Sequence, residues 1–92
     1  MNDTIELRNP ATEAVIETVS LATVEEADAA IARAVAAQRT WAGLAPADRA
    51  RLLRRFAAAV EDDVEHLARL EVRNAGHTID NARWEAGNAA TC

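Results

Sequence analysis

Pro10 imposes the strongest local constraint on this 92-residue chain. Residues 4–8 alternate Thr-Ile-Glu-Leu-Arg, a period of two that puts Ile5 and Leu7 on one strand face. Proline has no N–H for a ladder and pushes the residue before it away from helix, so Asn9-Pro10 ends that strand in a turn. Val15, Ile16, Thr18 and Val19 are β-branched or strand-prone and resume the extended pattern over 14–19. Residues 4–19 therefore read as a β-hairpin around a turn at 9–13. A lone hairpin is only marginally stable in water, so this one needs a surface to pack on.

The periodicity then changes from two to that of a helix. Thr23-Val24-Glu25-Glu26 is a capping box, with the threonine hydroxyl accepting from the third helical N–H while Glu26 reaches back. Glu25, Glu26 and Asp28 add negative charge at the positive end of the helix dipole. The predicted helix runs over about 24–40, with Ala27, Ile31, Ala34, Val35 and Gln38 in a narrow stripe. Alanines flank that stripe, which suits burial between neighbouring elements. Trp41-Ala42-Gly43-Leu44 reads as a connector.

Pro46 suits the first position of a second helix over about 46–61, although Ala45 before it is a poor N-cap. Leu52, Leu53, Phe56, Val60 and Val64 recur at helical spacing, opposite Arg51, Arg54, Arg55, Glu61 and Asp62. Asp62-Asp63-Val64-Glu65 reads as another cap, which predicts a break near 61–63 and a helix over about 63–75. Gly76 suits the position just past that helix. Thr78 or Asp80 caps a last helix over about 80–92, which meets no stop signal and is expected to be cut at Cys92.

Large apolar side chains are scarce among many alanines, so the core is thin for an independent domain of this length. The formal charge of −5 argues against nucleic acid and anionic membrane as partners. All ten basic residues are arginine, which excludes lysine Schiff-base chemistry and a P-loop lysine. A single cysteine permits no internal disulfide and fits a reducing compartment. The polar N-terminus shows no signal peptide, and no apolar stretch approaches the ~20 residues of a membrane span. A soluble, cytoplasmic protein is expected.

No catalytic set is visible. Cys92 has no evident base, Ser20 has no activating neighbour, and Gly43, Gly76 and Gly87 lie too far apart to cradle a phosphate. His66 reads as a surface histidine or one paired with a carboxylate. His77 follows Gly76 and is expected to meet the carbonyls ending the preceding helix. His66, His77 and Cys92 follow no short metal-ligand spacing, so no metal site is expected. The acidic run at 61–65 reads as capping and solvated surface. Arg49, Arg51, Arg54 and Arg55 read as ion-pairing or domain-interface residues.

Taken in order, Asn9-Pro10-Ala11-Thr12, Val15-Ile16, the helix from Val24 to Ala37, Trp41-Ala42, the run from Pro46 to Ala57, Leu70-Glu71 and Asn74-Ala75-Gly76-His77 make a pattern. That pattern resembles the N-terminal region of the NAD(P)-dependent aldehyde dehydrogenase superfamily, from about residue 5 to the end. Three positions depart from it. Glu13 stands where glycine is usual in the turn, Ala45 where serine or threonine caps the helix, and His77 where lysine follows Asn-x-Gly.

The resemblance implies oxidation of an aldehyde to a carboxylic acid by NAD or NADP. A cysteine thiolate attacks the carbonyl, N–H donors hold the oxyanion, and a glutamate activates the deacylating water. All of those groups, and the dinucleotide-binding strands, belong to later parts of such a protein. The resemblance thus assigns no catalytic, cofactor-binding or metal residue here, and Cys92 does not match the nucleophile motif. The expected fold is mainly α with a short N-terminal β-hairpin, forming the partial edge of an α/β Rossmann-like coenzyme-binding domain. Its partner is the remainder of that domain, in a parent expected to be a homo-oligomer. A free-standing acidic helical interaction module is the competing assignment.

Overall fold

The computed structural model describes residues 2–92. Two antiparallel strands, β1 (Thr4–Arg8) and β2 (Val15–Ser20), precede four helices: α1 (Val24–Ala42), α2 (Pro46–Asp62), α3 (Val64–Ala75) and α4 (Ile79–Ala89). The architecture is thus mainly helical with an N-terminal hairpin and an open sheet edge, as a partial Rossmann-like domain requires.

The turn is built by its own side chains. Asn9 Oδ1 accepts from the Ala11 N–H at 2.8 Å, and Thr12 Oγ1 accepts from Ala14 at 3.3 Å. These short local bonds are the mechanism by which Asn and Thr favour turns. The Glu13 N–H closes the loop onto Asn9 O at 2.7 Å, and Glu13 takes φ 63°. That left-handed conformation suits glycine, so the departure noted at position 13 places a side chain where the turn least favours one. Pairing runs Ile5 to Val19 and Leu7 to Glu17, then Arg8 to Val15. Ile16 is the extra residue of this β-bulge, and it joins Leu7 beside Leu70 of α3. The adjacent apolar pair Val15-Ile16 is what a bulge can use and a regular strand cannot.

Each helix begins and ends for a stated reason. In α1 both bonds of the capping box form: Glu26 N–H to Thr23 Oγ1 at 3.1 Å, and Thr23 N–H to Glu26 Oε2 at 2.8 Å. Asn2 also donates to that carboxylate, at 3.1 Å. The helix continues through Trp41 to Ala42, two residues past the expected end at 40, and Gly43 then caps it in right-handed geometry. Pro46 opens α2 behind Ala45, which makes no side-chain cap. The expected break falls at Asp63, between α2 and α3, but Asp63 has φ −108° and no side-chain cap bond. Gly76 ends α3 at φ 75°, its N–H donating to Val72 O. The helix expected over 80–92 stops at Ala89. Thr91 donates its hydroxyl to Asn88 O at 2.9 Å, closing a turn in place of further helix.

Only one helix pair packs closely. Among the described residues, Ala68 of α3 and Ala82 of α4 are the fully buried apolar ones, each with no exposed surface. Small side chains let the two backbones approach, and Arg83 on α4 clamps Glu65 on α3 with two bonds, at 3.0 and 2.8 Å. α2 leans on both helices, while β1 rests on α3. α1 packs substantially on nothing, and residues 24–40 are exposed throughout. The stripe expected to be buried between neighbours finds none within this chain.

The result is a slab, 49 × 38 × 15 Å, with a radius of gyration of 17.4 Å. A compact domain of this length has a radius of about 12 Å. The accessible surface is 7246 Å², against about 5,200 Å² for a compact monomer of this mass. The described residues form a single layer.

Two expectations follow from these contacts. A Cβ added at Gly76 would sit 2.8 Å from Pro10 Cγ, at a φ of +75°. Gly76→Ala is expected to cost about 1–2 kcal/mol and speed amide exchange in β1 and β2 about tenfold. Unchanged protection would show that the Pro10 turn does not rest on the end of α3. The second concerns acid. The Glu65 carboxyl is held below its ordinary value of 4.5, chiefly by the hydrogen bond from Arg83 and further by the charges of Arg83 and Arg69. Glu26 is lowered chiefly by the Thr23 backbone N–H, with Asn2 and the Thr23 hydroxyl adding to it. Such stabilisation is complete above the unfolded value and is lost as pH falls through the lower folded one. Helical ellipticity should therefore fall as pH drops below about 4.5, and Glu65→Gln should flatten that fall. An acid limb identical in the variant would remove the Glu65–Arg83 pair as its cause.

Candidate functional site

The residues singled out from sequence are scattered over the slab rather than gathered. Cys92 is exposed, and its Sγ accepts weakly from Asn88 Nδ2 at 3.9 Å. Its surroundings are Leu53, Phe56 and Ala57 of α2, with Arg54 at the edge and Ala89, Ala90 and Thr91 beside it. His66 is exposed on α3, as a surface histidine should be.

His77 behaves differently from expectation. Gly76, not the imidazole, donates to Val72 O, and the His77 ring bonds elsewhere. It lies instead between two carboxylates, with Nδ1 3.5 Å from Glu71 Oε1 and 3.0 Å from Glu85 Oε2. Sequence spacing missed this group because Glu71 and Glu85 belong to different helices. The only signal available was Gly76, whose left-handed turn folds α4 back along α3.

The charged clusters are structural. In the acidic run, Glu65 bridges to Arg83 and Arg69 rather than lying free in solvent. In the basic run, Arg49 donates to Ala42 O and Leu44 O, both at 3.3 Å, and so ties the end of α1 to α2. Arg51 pairs with Asp48 at 3.7 Å. Exposed pairs of this kind contribute little energy.

The described residues do not fit a dinucleotide. A pyrophosphate is held at a helix N-terminus after a glycine-rich turn. Here the N-terminus of α1 is filled by the Glu26 carboxylate, and Ala45-Pro46 opens α2 without glycine. The sheet is a two-stranded antiparallel hairpin, so no crevice at the ends of parallel strands exists within it. What the surface does offer is apolar area. Phe56 is 71% exposed, Trp84 70%, Ile31 62%, Leu53 58% and Val35 57%. The candidate functional feature is therefore this set of uncovered faces.

Comparison with known proteins identifies the family. The profile of the aldehyde dehydrogenase family matches residues 1–92. Peroxisomal aminoaldehyde dehydrogenase 2 of Pisum sativum is 37% identical over 97 aligned residues, covering 100% of this chain and 19% of that protein. Chloroplastic aminoaldehyde dehydrogenase ALDH10A8 of Arabidopsis thaliana is 38% identical, covering 96% of the chain and 19% of its own length. The crystal structure of PnpE in complex with nicotinamide adenine dinucleotide matches with a TM-score of 0.90 and 34% identity, over 98% of this chain and 19% of that one. The chain thus spans about a fifth of the proteins it matches.

These names correct the expected cytoplasmic location: the relatives are peroxisomal or chloroplastic, as is the betaine aldehyde dehydrogenase of Amaranthus hypochondriacus. An acidic chain with one unpaired thiol suits several reducing compartments equally, so composition could not choose among them. The competing assignment as a free-standing helical module loses its basis, because the likeness leaves no part of the chain outside it. With the profile running from first residue to last and two relatives of that family 37% and 38% identical over nearly the whole chain, the chain belongs to the aldehyde dehydrogenase family.

Proposed function

We propose that residues 1–92 are the N-terminal scaffold of an enzyme that oxidises an aldehyde to a carboxylic acid with NAD+ or NADP+. The observation that carries this is the 0.90 TM-score to an NAD-bound structure of which the chain covers 19%. On this reading the hairpin and four helices edge the coenzyme-binding domain, and its remaining elements cover the exposed faces of α1 and α2. The surface excess over a compact monomer, about 2,000 Å², is as large as a sizeable protein interface. The nicotinamide ring accepts the hydride in such a reaction, and no residue of this segment touches it or the substrate. The whole enzyme is proposed to be a homo-oligomer.

A chimera provides the test. Residues 1–92 would replace the matching segment of the pea aminoaldehyde dehydrogenase, and NADH formation would be followed with aminoaldehyde, betaine aldehyde and simple aldehydes. The chimera is expected to be active and the isolated chain inactive. A soluble, cooperatively folded chimera without activity would overturn the scaffold role; NADH formation by the isolated chain would overturn its inactivity.

The uncovered faces also predict how the isolated chain behaves. It is expected to bind the dye ANS and to self-associate, because Phe56, Ile31 and Trp84 remain in water. A monodisperse species with cooperative unfolding and no dye binding would show that the slab is stable without a cover.

A further inference from the structure

We propose that Glu71, His77 and Glu85 form a site for one divalent transition-metal cation, of which zinc is the representative. The three residues each offer a ligand atom, and these atoms all lie within 4.8 Å of one another. His77 Nδ1 is 3.5 Å from Glu71 Oε1 and 3.0 Å from Glu85 Oε2. A tetrahedral cation with bonds of about 2.0–2.2 Å sets its ligands about 3.3–3.6 Å apart. The imidazole nitrogen thus stands within about half an ångström of that spacing from each carboxylate oxygen, and a cation bound by the three would keep a fourth position for water.

Charge and rigidity point the same way. Among the described residues, the ion pairs of Glu71 and Glu85 run only to His77, with no arginine on either. Glu65, one helical face away, is by contrast met by Arg83 and Arg69. Two carboxylates converging on one imidazole leave negative charge that a cation neutralises. The ligands are also held in place before any ion arrives. α3 and α4 are locked by Ala68, Ala82 and the Glu65–Arg83 clamp, and Gly76 fixes the turn that presents His77. One imidazole with two carboxylates suits zinc and its first-row neighbours, whereas magnesium and calcium prefer oxygen alone.

The site is local to one helix–turn–helix, so the 92-residue chain suffices to test it. The chain has two histidines, which lets His66 serve as an internal control. Imidazole carbon–proton NMR signals would be followed during zinc titration of a Cys92→Ser chain, where no thiol competes for the metal. The expected result is a shift of His77 that saturates at one equivalent, with His66 unmoved and full reversal by EDTA. His77→Lys keeps a cation between the carboxylates and so preserves the helix pair, checked by an unchanged far-UV spectrum. It is expected to abolish saturable uptake. Glu71→Gln with Glu85→Gln should weaken uptake at least about tenfold, a loss that even an outer partner of a metal ligand can cause. The proposal is overturned if His77 does not move, if both histidines move together, if magnesium reproduces the shift, or if His77→Lys binds zinc as the parent chain does. Any of those outcomes would leave the group as ordinary histidine–carboxylate ion pairs.

Discussion

The contact between α3 and α4 organises everything else in this structure. Ala68 and Ala82 are withdrawn from water there, and the Glu65–Arg83 clamp spans the same interface. Two alanines bury little area, so the pair owes its geometry to close backbone approach rather than to a filled core. α2 leans on this pair, and the hairpin reaches it through Pro10 and Gly76. The His77 group exists because the same turn lays one helix along the other. A chain held by so small a contact has low local stability in every other element.

α1 shows the consequence most plainly. It is the longest helix, well capped at Thr23 and Glu26, and residues 24–40 are exposed on every side. Propensity and a cap favour helix in a segment of this length, but tertiary packing normally supplies most helical stability. Alanine on both flanks of Ile31 and Val35 is the composition of a helix meant to be covered closely. The relatives this chain matches are about five times longer, and the proposed function assigns the cover of α1 to the corresponding remainder. On the proposed function, this segment is the surface on which a larger catalytic structure is laid.

What was legible in the residues was local. The capping box, Pro46 at the start of α2, the break near 63 and the left-handed Gly76 each depend on residues a few positions apart. Two of the errors were also local, at helix ends. α1 absorbs Trp41 and Ala42 because Gly43 adopts right-handed geometry and ends the helix later. α4 stops at Ala89 because Thr91 and Asn88 bond one another, which competes with further helix. The long-range groups had no signal. Glu65 read as solvated surface and His77 as a helix-end residue, yet their partners Arg83 and Glu85 lie on the next helix.

The order of turn, strand and capped helices was determined by sequence alone, since each step rests on backbone restriction by proline and glycine or on caps within four residues. The order of those pieces also carried the family resemblance. Only the tertiary structure decided which faces stay open, because exposure depends on what packs across a gap and not on periodicity. It alone placed Glu71 and Glu85 on one imidazole, because two carboxylates on separate helices become neighbours only when the turn between them closes.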